Sequence, residues 1–313
     1  MSSLGKPVVP SRLTDVLFRH ETRKSGRRSK FAAYVALTKP RIIELLLVTT
    51  VPTMVLANGG WPSVGLMVAT VLGGALAAGG ANAVNMYVDR DIDILMDRTK
   101  NRPLVRGEVS PRGALVFAVL LQVAAFAVLW RFANLAAAAL ALGAAAFYVF
   151  VYTLWLKRTS RQNIVIGGAA GAVPVLVGWA AVTGELSWAA AALFVFMFLW
   201  TPPHFWALAI KHADEYRVAG VPMLPAVASL RHTTNQMIVY AVLLLTSSLA
   251  VLPFAELGWI YGITAVVFGL AFIAGCVQLR KTPTEPRAMR LFSFSITYVT
   301  VLFAAIVVDV LLG

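Results

Sequence analysis

Charged residues are scarce in this chain of 313 residues. Asp, Glu, Lys and Arg make up 13% of it, whereas soluble domains contain about a quarter charged residues. Apolar residues account for 59% of the chain. This balance excludes an ordinary soluble fold and indicates an integral membrane protein that has the lipid bilayer as its surroundings.

Cysteine is almost absent, since Cys276 is the only one in the sequence. A single cysteine excludes both an intrachain disulfide framework and a metal site built from thiolates. We therefore predict that Cys276 is a small buried side chain within a membrane helix.

An apolar segment typical of a cleavable signal peptide is also missing from the first 40 residues. These residues are polar and basic. We expect residues 1–38 to form a flexible cytoplasmic arm and residues 39–313 to form a single transmembrane domain.

Long runs without charge locate the membrane spans, because a helix needs about 20 mostly apolar residues to cross the hydrocarbon. The longest run covers residues 45–88, and the turn sequence "NGGWPS" divides it into two helices. Further apolar segments lie at 113–130, 133–156, 163–183, 187–210, 232–252, 257–279 and 290–312. The sequence thus predicts an all-α bundle of nine transmembrane helices.

The distribution of basic residues supports this count, because cytoplasmic loops attract Lys and Arg. Of the 27 basic residues, 26 lie in five segments on one predicted side of the membrane. These segments are residues 1–41, 88–112, 157–162, 211–231 and 280–290. We therefore expect a cytoplasmic amino terminus and an external carboxyl terminus. A bacterial plasma membrane is the favoured location, and an organelle membrane is the alternative. The net charge of +13 follows from this orientation and from anionic lipid head groups, so we expect no nucleic-acid partner.

Negative charge is concentrated after the second span, where four aspartates fall within nine positions of the segment "DRDIDILMD". Asn85, Asp89 and Asp93 follow the spacing i, i+4 and i+8, which places them on one helix face. Acids are unfavourable at the carboxyl end of a helix and repel one another at this spacing, so the group needs cations. Neighbouring Arg and Lys residues are one source. We favour Mg²⁺, which binds carboxylate and amide oxygens together with substrate phosphates.

A second polar segment interrupts the chain after the sixth span, over residues 200–225, on the same side of the membrane. It includes Asp214, which we predict to be a metal ligand facing Asn85, Asp89 and Asp93 across a cleft. Two carboxylate walls of this kind hold a magnesium diphosphate. The metal stabilises the leaving group of an allylic diphosphate, and aromatic faces stabilise the carbocation. The chemistry predicted is prenyl transfer.

Four stretches carry a resemblance to a known family, and together they extend from the first span to the loop after the sixth. They are "YVALTKPRIIELLLVTT" at 34–50, "NMYVDRDIDILMDRTKNRPLVRG" at 85–107, "YTLWLKRTSRQNIVIGGAAGAVPVLVGW" at 152–179 and "TPPHFWALAIKHADEYRVAGVPMLP" at 201–225. The chain resembles the UbiA-type intramembrane prenyltransferases, and within them the branch that farnesylates protohaem IX.

The match to the family's two acidic motifs is unequal. Its first motif, N-x-x-x-D-x-x-x-D, is matched by Asn85, Asp89 and Asp93. Its second, D-x-x-x-D, is absent, and the corresponding loop offers Asp214 and Glu215 instead. This departure leaves the ligands of a second metal open and favours the haem branch, whose "PPHFW" and "AGVPMLP" signatures are present.

The resemblance implies a nine-helix bundle around a membrane-embedded cavity. It also implies an enzyme that uses Mg²⁺ to transfer the farnesyl group of farnesyl diphosphate to a vinyl group of haem B, with release of haem O and diphosphate. Haem O serves terminal oxidases directly or through haem A. A haem A synthase and terminal oxidase assembly factors are therefore candidate partners.

Basic and imidazole side chains near the two acidic segments are candidates for substrate binding. We expect Arg98, Arg102 and Lys211 to hold diphosphate oxygens, although cytoplasmic anchoring explains such residues equally well. His204, which follows two prolines, and His212 are candidate ligands of the haem iron through imidazole. A structural hydrogen bond is the alternative for both histidines.

Other polar and aromatic residues have a less specific signal. Asn163 opens the fifth span and is predicted either to contact substrate or to cap the helix. Tyr87 is a candidate neighbour of the carbocation, with packing as the alternative. Lys39 is predicted to anchor the first span, and Glu44 to face the cavity, because an acid inside a span must avoid lipid.

Two other functions are consistent with many membrane spans. A prenyltransferase for an aromatic quinone precursor would share the chemistry, but the missing D-x-x-x-D motif disfavours it. A transporter would place charge near the bilayer midplane and would contain broken helices. Nearly all charge here lies at one rim of the membrane, which disfavours a transporter.

Overall fold

A computed structural model describes residues 28–313, except for the side chains of residues 41–47. This part of the chain is helical and contains no strand. Its helices are α1 (Lys30–Leu37), α2 (Pro40–Asn58), α3 (Val64–Val88), α4 (Arg90–Asp93), α5 (Pro111–Phe132), α6 (Leu135–Thr159), α7 (Asn163–Thr183), α8 (Trp188–Lys211), α9 (Ala213–Val218), α10 (Leu224–Val227), α11 (Leu230–Ala255), α12 (Trp259–Lys281) and α13 (Glu285–Leu312).

Eight of these helices are long and apolar enough to cross a membrane, within the described residues. They are α3, α5, α6, α7, α8, α11, α12 and α13. The predicted all-α membrane architecture is thus confirmed, and α2, with 19 residues, stands at the position of the first predicted span. The predicted role of Glu44 concerns a side chain outside the described part of the structure.

The predicted flexible arm lies largely outside the described residues, which begin at Arg28. Within the described residues, Lys30–Leu37 forms α1. The Ser29 hydroxyl accepts a hydrogen bond from the Ala32 amide at 3.2 Å and caps this helix. Ala33 and Leu37 are four residues apart and fully buried in a small core with residues of α3 and α5. The apolar face they form explains why this segment is ordered.

The membrane helices form a closed bundle with two different cores. Neighbouring helices in the second half pack in sequence order, and α13 contacts both α8 and α2, so the last span meets the first. The core of this half is rich in aromatic rings, among them Phe196, Trp200 and Phe303. The core between α2, α3, α5, α6 and α7 consists mainly of alanine. There the helices approach closely: a side chain at Gly80 would lie 2.9 Å from the Ala118 carbonyl oxygen.

Helix α6 changes its winding toward its carboxyl-terminal end. The stretch Phe147–Leu156 is π-helical, with wider turns than an α-helix. Thr153 and Lys157 follow each other along one face of this stretch, and both are buried. The wide turns therefore deliver a hydroxyl and an ammonium group into the bundle close to the end of α3.

Candidate active site

The first acidic segment keeps a helical path beyond the end of its membrane span. Helix α3 ends at Val88, and Asp89 follows as its cap. The Asp89 amide donates to the Asn85 carbonyl oxygen at 2.9 Å, and the Asp93 amide donates to the Asp89 carbonyl oxygen at 2.8 Å. The shared face of Asn85, Asp89 and Asp93 is therefore preserved, and all three residues are at most 3% exposed.

Asn85 and Asp89 are the centre of a buried hydrogen-bond network. The Asn85 amide nitrogen donates to Asp89 Oδ2 at 2.8 Å and to the Thr153 hydroxyl at 3.2 Å. The Asn85 amide oxygen accepts from Lys39 Nζ at 2.8 Å. Lys157 Nζ donates to Asp89 Oδ2 and forms an ion pair with it. Asn85 of α3 and Lys157 of α6 thus contact the Asp89 carboxylate directly, and Lys39, which precedes α2, joins the network through Asn85.

Asp93 has its own cation. Arg102, in the loop that precedes α5, donates to Asp93 Oδ2 at 2.6 Å. The Thr99 hydroxyl donates to the Asp93 carbonyl oxygen at 2.9 Å, and this hydrogen bond fixes the turn between Asp93 and Thr99. Burial raises the pKa of Asp93, and the Arg102 guanidinium opposes this rise. The predicted proximity of Arg102 to the acidic segment is therefore observed as a direct ion pair.

The remaining two aspartates of the segment form ion pairs at the rim. Asp91 accepts two hydrogen bonds from the Arg158 guanidinium, at 2.8 and 2.7 Å. This contact lowers the pKa of Asp91 to about 2. Asp97 is exposed and pairs with Lys100 at 2.5 Å. Neither carboxylate faces the buried network.

Lys39 differs from the anchoring role that the sequence suggests. It is partly buried beside Asn85, and the loss of solvent around its ammonium group lowers its pKa well below the usual range, helped by the neighbouring charges of Arg102 and Lys157. Its backbone has φ 53° and ψ 63°, a left-handed conformation. This conformation is uncommon for a residue other than glycine, so Lys39 is held in place by its surroundings.

The second polar segment meets the first through Glu215 and Tyr216. Glu215 Oε2 accepts a hydrogen bond from the Arg98 amide at 3.3 Å, and its other oxygen lies 2.8 Å from His212 Nδ1. The Arg98 guanidinium donates to the Tyr216 hydroxyl at 3.3 Å. Burial raises the pKa of Tyr216. The two segments therefore meet, and Arg98 of the first segment connects them by its contacts with Glu215 and Tyr216 of the second.

Asp214 and Lys211 lie apart from this contact. The Asp214 side chain is 93% exposed and pairs with Arg217 within α9, so the structure does not support its predicted position opposite Asp89. Glu215, the next residue, faces the first segment because successive helical residues point about 100° apart. Lys211 pairs with Glu285 at the start of α13, at 2.9 Å, rather than with the acidic network.

Substitution of Asp214 and of Glu215 distinguishes the roles of these two acids. We expect Asp214→Asn to leave prenyl transfer within about twofold of wild type, because an exposed ion pair contributes little. We expect Glu215→Gln to reduce prenyl transfer roughly tenfold, because the carboxylate charge that strengthens the contacts with the Arg98 amide of the first segment and with His212 is lost. Turnover of both variants in purified membranes checks this expectation. A greater loss of turnover in Asp214→Asn than in Glu215→Gln would support Asp214 as the metal ligand opposite Asp89.

His204 lies in the middle of a stack of rings, within a helix that continues past its two prolines to Lys211. Its ring centroid is 4.1 Å from that of Trp200 and 4.6 Å from that of Phe292. Its Nδ1 lies 2.6 Å from the Ser295 hydroxyl, which itself donates to the Phe292 carbonyl oxygen. Because a hydroxyl has one proton, Ser295 accepts from His204 Nδ1–H, and the lone pair of Nε2 stays available.

Asn163 and Tyr87 have different surroundings. Asn163 is fully buried beside Lys157, whose carbonyl oxygen it contacts at 3.5 Å, and its own amide oxygen has no hydrogen-bond partner. Helix capping therefore does not account for the Asn163 side chain. Tyr87 lies under the Arg90 guanidinium, 4.4 Å from the ring centroid, and this contact places it at the rim.

The donor set of the buried network fits a metal that also binds phosphate. Asp89 Oδ1 and Asp93 Oδ1 are buried and have no hydrogen bond. Among the described residues, no group of three His, Cys, Asp or Glu side chains is arranged to hold a metal ion alone. Mg²⁺ commonly takes one or two carboxylates and completes its coordination with substrate phosphates. The two free carboxylate oxygens match that requirement.

Several site residues of α6 were missed by the sequence interpretation. Thr153, Lys157 and Arg158 contact the acidic segment, although the two basic residues had been counted only as cytoplasmic charge. Tyr148 and Tyr152 stack with centroids 5.3 Å apart just before them. The i, i+4 spacing of Thr153 and Lys157 at the end of an apolar span is the signal that could have indicated a polar inner face.

Comparison with known proteins identifies the family. Residues 46–301 match the model of the UbiA prenyltransferase family. The chain belongs to this family. A relative from Pseudarthrobacter chlorophenolicus named Protoheme IX farnesyltransferase is 52% identical over 293 residues, which are 92% of each chain. Another of the same name, from a Parafrankia species, is 53% identical over 302 residues, 96% of each chain.

Solved structures of UbiA-type proteins share the fold. A structure of digeranylgeranylglyceryl phosphate synthase matches with a TM-score of 0.75 and 18% identity, covering 91% of this chain and 99% of that one. A UbiA homologue from Archaeoglobus fulgidus bound to GPP and Mg²⁺ matches with a TM-score of 0.58 and 18% identity, covering 88% and 99%. The UbiA fold is thereby established for this member of the family.

Proposed function

We propose that this UbiA family member is a protohaem IX farnesyltransferase. It transfers the farnesyl group of farnesyl diphosphate to a vinyl group of haem B, water adds to the resulting cation, and haem O and diphosphate are released. The buried Asn85, Asp89 and Asp93 network, ringed by cations, carries the proposal. The haem acceptor is supported by the two relatives of that name, which match this chain over nearly its whole length.

Mg²⁺ would be held by Asp89 and Asp93, whose free carboxylate oxygens lack hydrogen bonds. Bound there, it supplies positive charge to the departing diphosphate, as a Lewis acid does in metal-assisted displacement. It is also the ion with which the Archaeoglobus fulgidus homologue was solved. Asn85 positions Asp89 through its amide nitrogen.

The protein side chains orient the diphosphate and protect the carbocation. Arg102 fixes the Asp93 carboxylate and Lys157 fixes that of Asp89, and burial of the network keeps bulk water from the reacting carbon. The stacked rings of Tyr148 and Tyr152 belong to the same π-helical stretch as Thr153, and their faces stabilise positive charge on the allylic chain. The nucleophile is the vinyl group, so the reaction needs no nucleophilic side chain.

His204 is the proposed contact for haem iron, because its Nε2 lone pair is free while Ser295 fixes the opposite side of the ring. We expect His204→Phe to weaken haem B binding about tenfold and to shift the Soret band, with farnesyl diphosphate binding unchanged. Phenylalanine keeps the stack between Trp200 and Phe292 but lacks a lone pair. An unaltered haem spectrum in this variant would refute iron ligation by His204.

The location of the active site follows from the proposed orientation. The amino terminus and the acidic network lie on the cytoplasmic side of a bacterial plasma membrane, and the carboxyl terminus lies outside. A charged diphosphate then enters from the cytoplasm, while the farnesyl chain and haem remain in the apolar bundle. A haem A synthase or an oxidase assembly factor receives the product.

Incubation of purified protein in lipid nanodiscs with labelled farnesyl diphosphate, Mg²⁺ and haem B tests the function. We expect the label to appear in haem O, with one diphosphate released for each product. Label on an added phenolic acid in place of haem would identify a quinone-precursor prenyltransferase. Substrate flux across vesicles without diphosphate release would identify a transporter.

A further inference from the structure

We propose that Lys39 binds the diphosphate in place of a second divalent ion, so that the active site takes one Mg²⁺ for each chain. This inference deepens the proposed function and rests on its diphosphate chemistry. It assigns a direct substrate contact to Lys39, which is predicted from the sequence to anchor the first span.

The position of Lys39 is the first observation. Its ammonium group donates to the Asn85 amide oxygen at 2.8 Å, and the same Asn85 amide donates to Asp89. Lys39 is therefore separated by one side chain from a carboxylate with a free oxygen. A lysine that only anchored the span would extend toward the lipid head groups, whereas Lys39 is turned into the bundle.

The backbone of Lys39 supports a specific role. Among the described residues, Lys39 and Glu256 are the non-glycine residues with positive φ. Lys39 also precedes Pro40, and the residue before a proline normally takes an extended conformation. Strained conformations of this kind persist where the surrounding structure requires them, and they are concentrated at functional sites. Here the left-handed turn directs the side chain to Asn85.

Charge balance indicates how many metal ions the site accepts. Four cations contact the acidic segment, namely Lys39, Lys157, Arg102 and Arg158, and three carboxylates face them, those of Asp89, Asp91 and Asp93. In their charged forms these seven side chains have one positive charge in excess. An allylic diphosphate adds about three negative charges at neutral pH, since its last phosphate pKa is near 6. One Mg²⁺ then makes the buried site neutral, whereas two would leave it strongly positive, and uncompensated buried charge is unfavourable.

The opposite wall offers no carboxylates for a second ion in the described part of the second segment. Glu215 is engaged by Arg98 and His212. Asp214 is exposed and paired with Arg217. The cations that a second metal would otherwise supply are already present as Lys39 and Lys157. An ammonium group is well suited to this role, because it binds phosphate oxygens as a compact point charge.

The number of bound ions tests the proposal without turnover. The full chain in nanodiscs is titrated with Mn²⁺ in the presence of a non-hydrolysable farnesyl thiodiphosphate, and bound Mn²⁺ is counted by electron paramagnetic resonance. We expect one ion for each chain. Two ions for each chain, coupled to each other, would overturn the proposal.

Substitution of Lys39 tests the contact itself. We expect Lys39→Met to weaken binding of farnesyl thiodiphosphate roughly 10- to 100-fold, the usual effect of losing a charge-assisted hydrogen bond, and Lys39→Arg to recover most of it. A wild-type elution profile and thermal unfolding temperature in detergent report that Lys39→Met is folded. Lys100→Met is the matched control, because Lys100 is exposed and pairs with Asp97. Wild-type affinity in Lys39→Met would refute the inference.

These measurements are independent of the acceptor. Neither assay contains haem as a reactant, so a one-ion site with a Lys39-dependent affinity stands even if the prenyl acceptor proves to be a phenol. Conversely, two bound ions in a protein that makes haem O would refute the inference alone and leave the proposed function intact.

Discussion

Asp89→Asn is expected to abolish haem O formation, with a loss of turnover on the order of 10³-fold. Asp89 is fully buried and has one oxygen without a hydrogen bond, which is the atom proposed to hold Mg²⁺. Loss of one preorganised group that stabilises developing charge typically reduces turnover by about 10²- to 10³-fold. The measurement is extraction and separation of haems from cells that express the variant.

Asp97→Asn is the control for this substitution. Asp97 belongs to the same segment, but it is exposed and pairs only with Lys100, so we expect wild-type levels of haem O. Both variants must be present in the membrane in equal amounts, as judged by detergent extraction and chromatography. Normal haem O production by Asp89→Asn would remove Asp89 from the mechanism.

Lys157→Met is expected to destabilise the protein by about 3–5 kcal/mol, because removal of one partner from a buried ion pair leaves an uncompensated charge. In the pair with Asp89, the side chains are 11% and 0% exposed. Turnover should fall together with stability, since the Asp89 carboxylate loses its orientation. Thermal unfolding in detergent and a turnover assay at low temperature measure the two effects separately.

The double variant Lys157→Met with Asp89→Asn distinguishes the structural from the catalytic role of this pair. We expect it to recover most of the lost stability, because no unpaired charge remains, and to stay inactive. Arg217→Met serves as the surface control, since its partner Asp214 is exposed. If the double variant were as unstable as the Lys157→Met variant, the ion pair would not be the cause of the destabilisation.

The membrane spans and the first acidic motif could be predicted from the sequence because both depend on local patterns. An apolar run of sufficient length defines a span without reference to its neighbours. The period of the helix places Asn85, Asp89 and Asp93 on one face, and the structure preserves that face through the turn after Val88. The prediction of helical membrane architecture needed no knowledge of tertiary contacts.

The cations of the site could not be predicted in the same way, because their roles depend on contacts between distant segments. Lys157 meets Asp89 across 68 residues, and Lys39 meets Asn85 across 46. Basic residues at the cytoplasmic ends of spans usually serve as anchors, so composition gives no reason to single them out. The role of Lys157 follows from the packing of α6 against α3, and that of Lys39 follows from the position of the start of α2 beside α3.

The opposite wall shows how sensitive an assignment is to a single residue. The sequence places Asp214 and Glu215 side by side, and either could face Asp89. Which one does so is determined by where α8 ends, at Lys211, and where the short helix α9 begins. Helix ends are uncertain by one or two residues when inferred from sequence. An error of one residue changes which of Asp214 and Glu215 is assigned to face the first acidic segment.

The π-helical winding of Phe147–Leu156 constrains the number of residues that this stretch can contain. Loss of one residue there would favour ordinary winding and would rotate everything that follows by about 100°, which would carry Lys157 away from Asp89. Replacement of an apolar residue on the outer face, such as Trp155, leaves that alignment untouched. Descendants of this sequence should therefore vary in the identity of these residues far more readily than in their number.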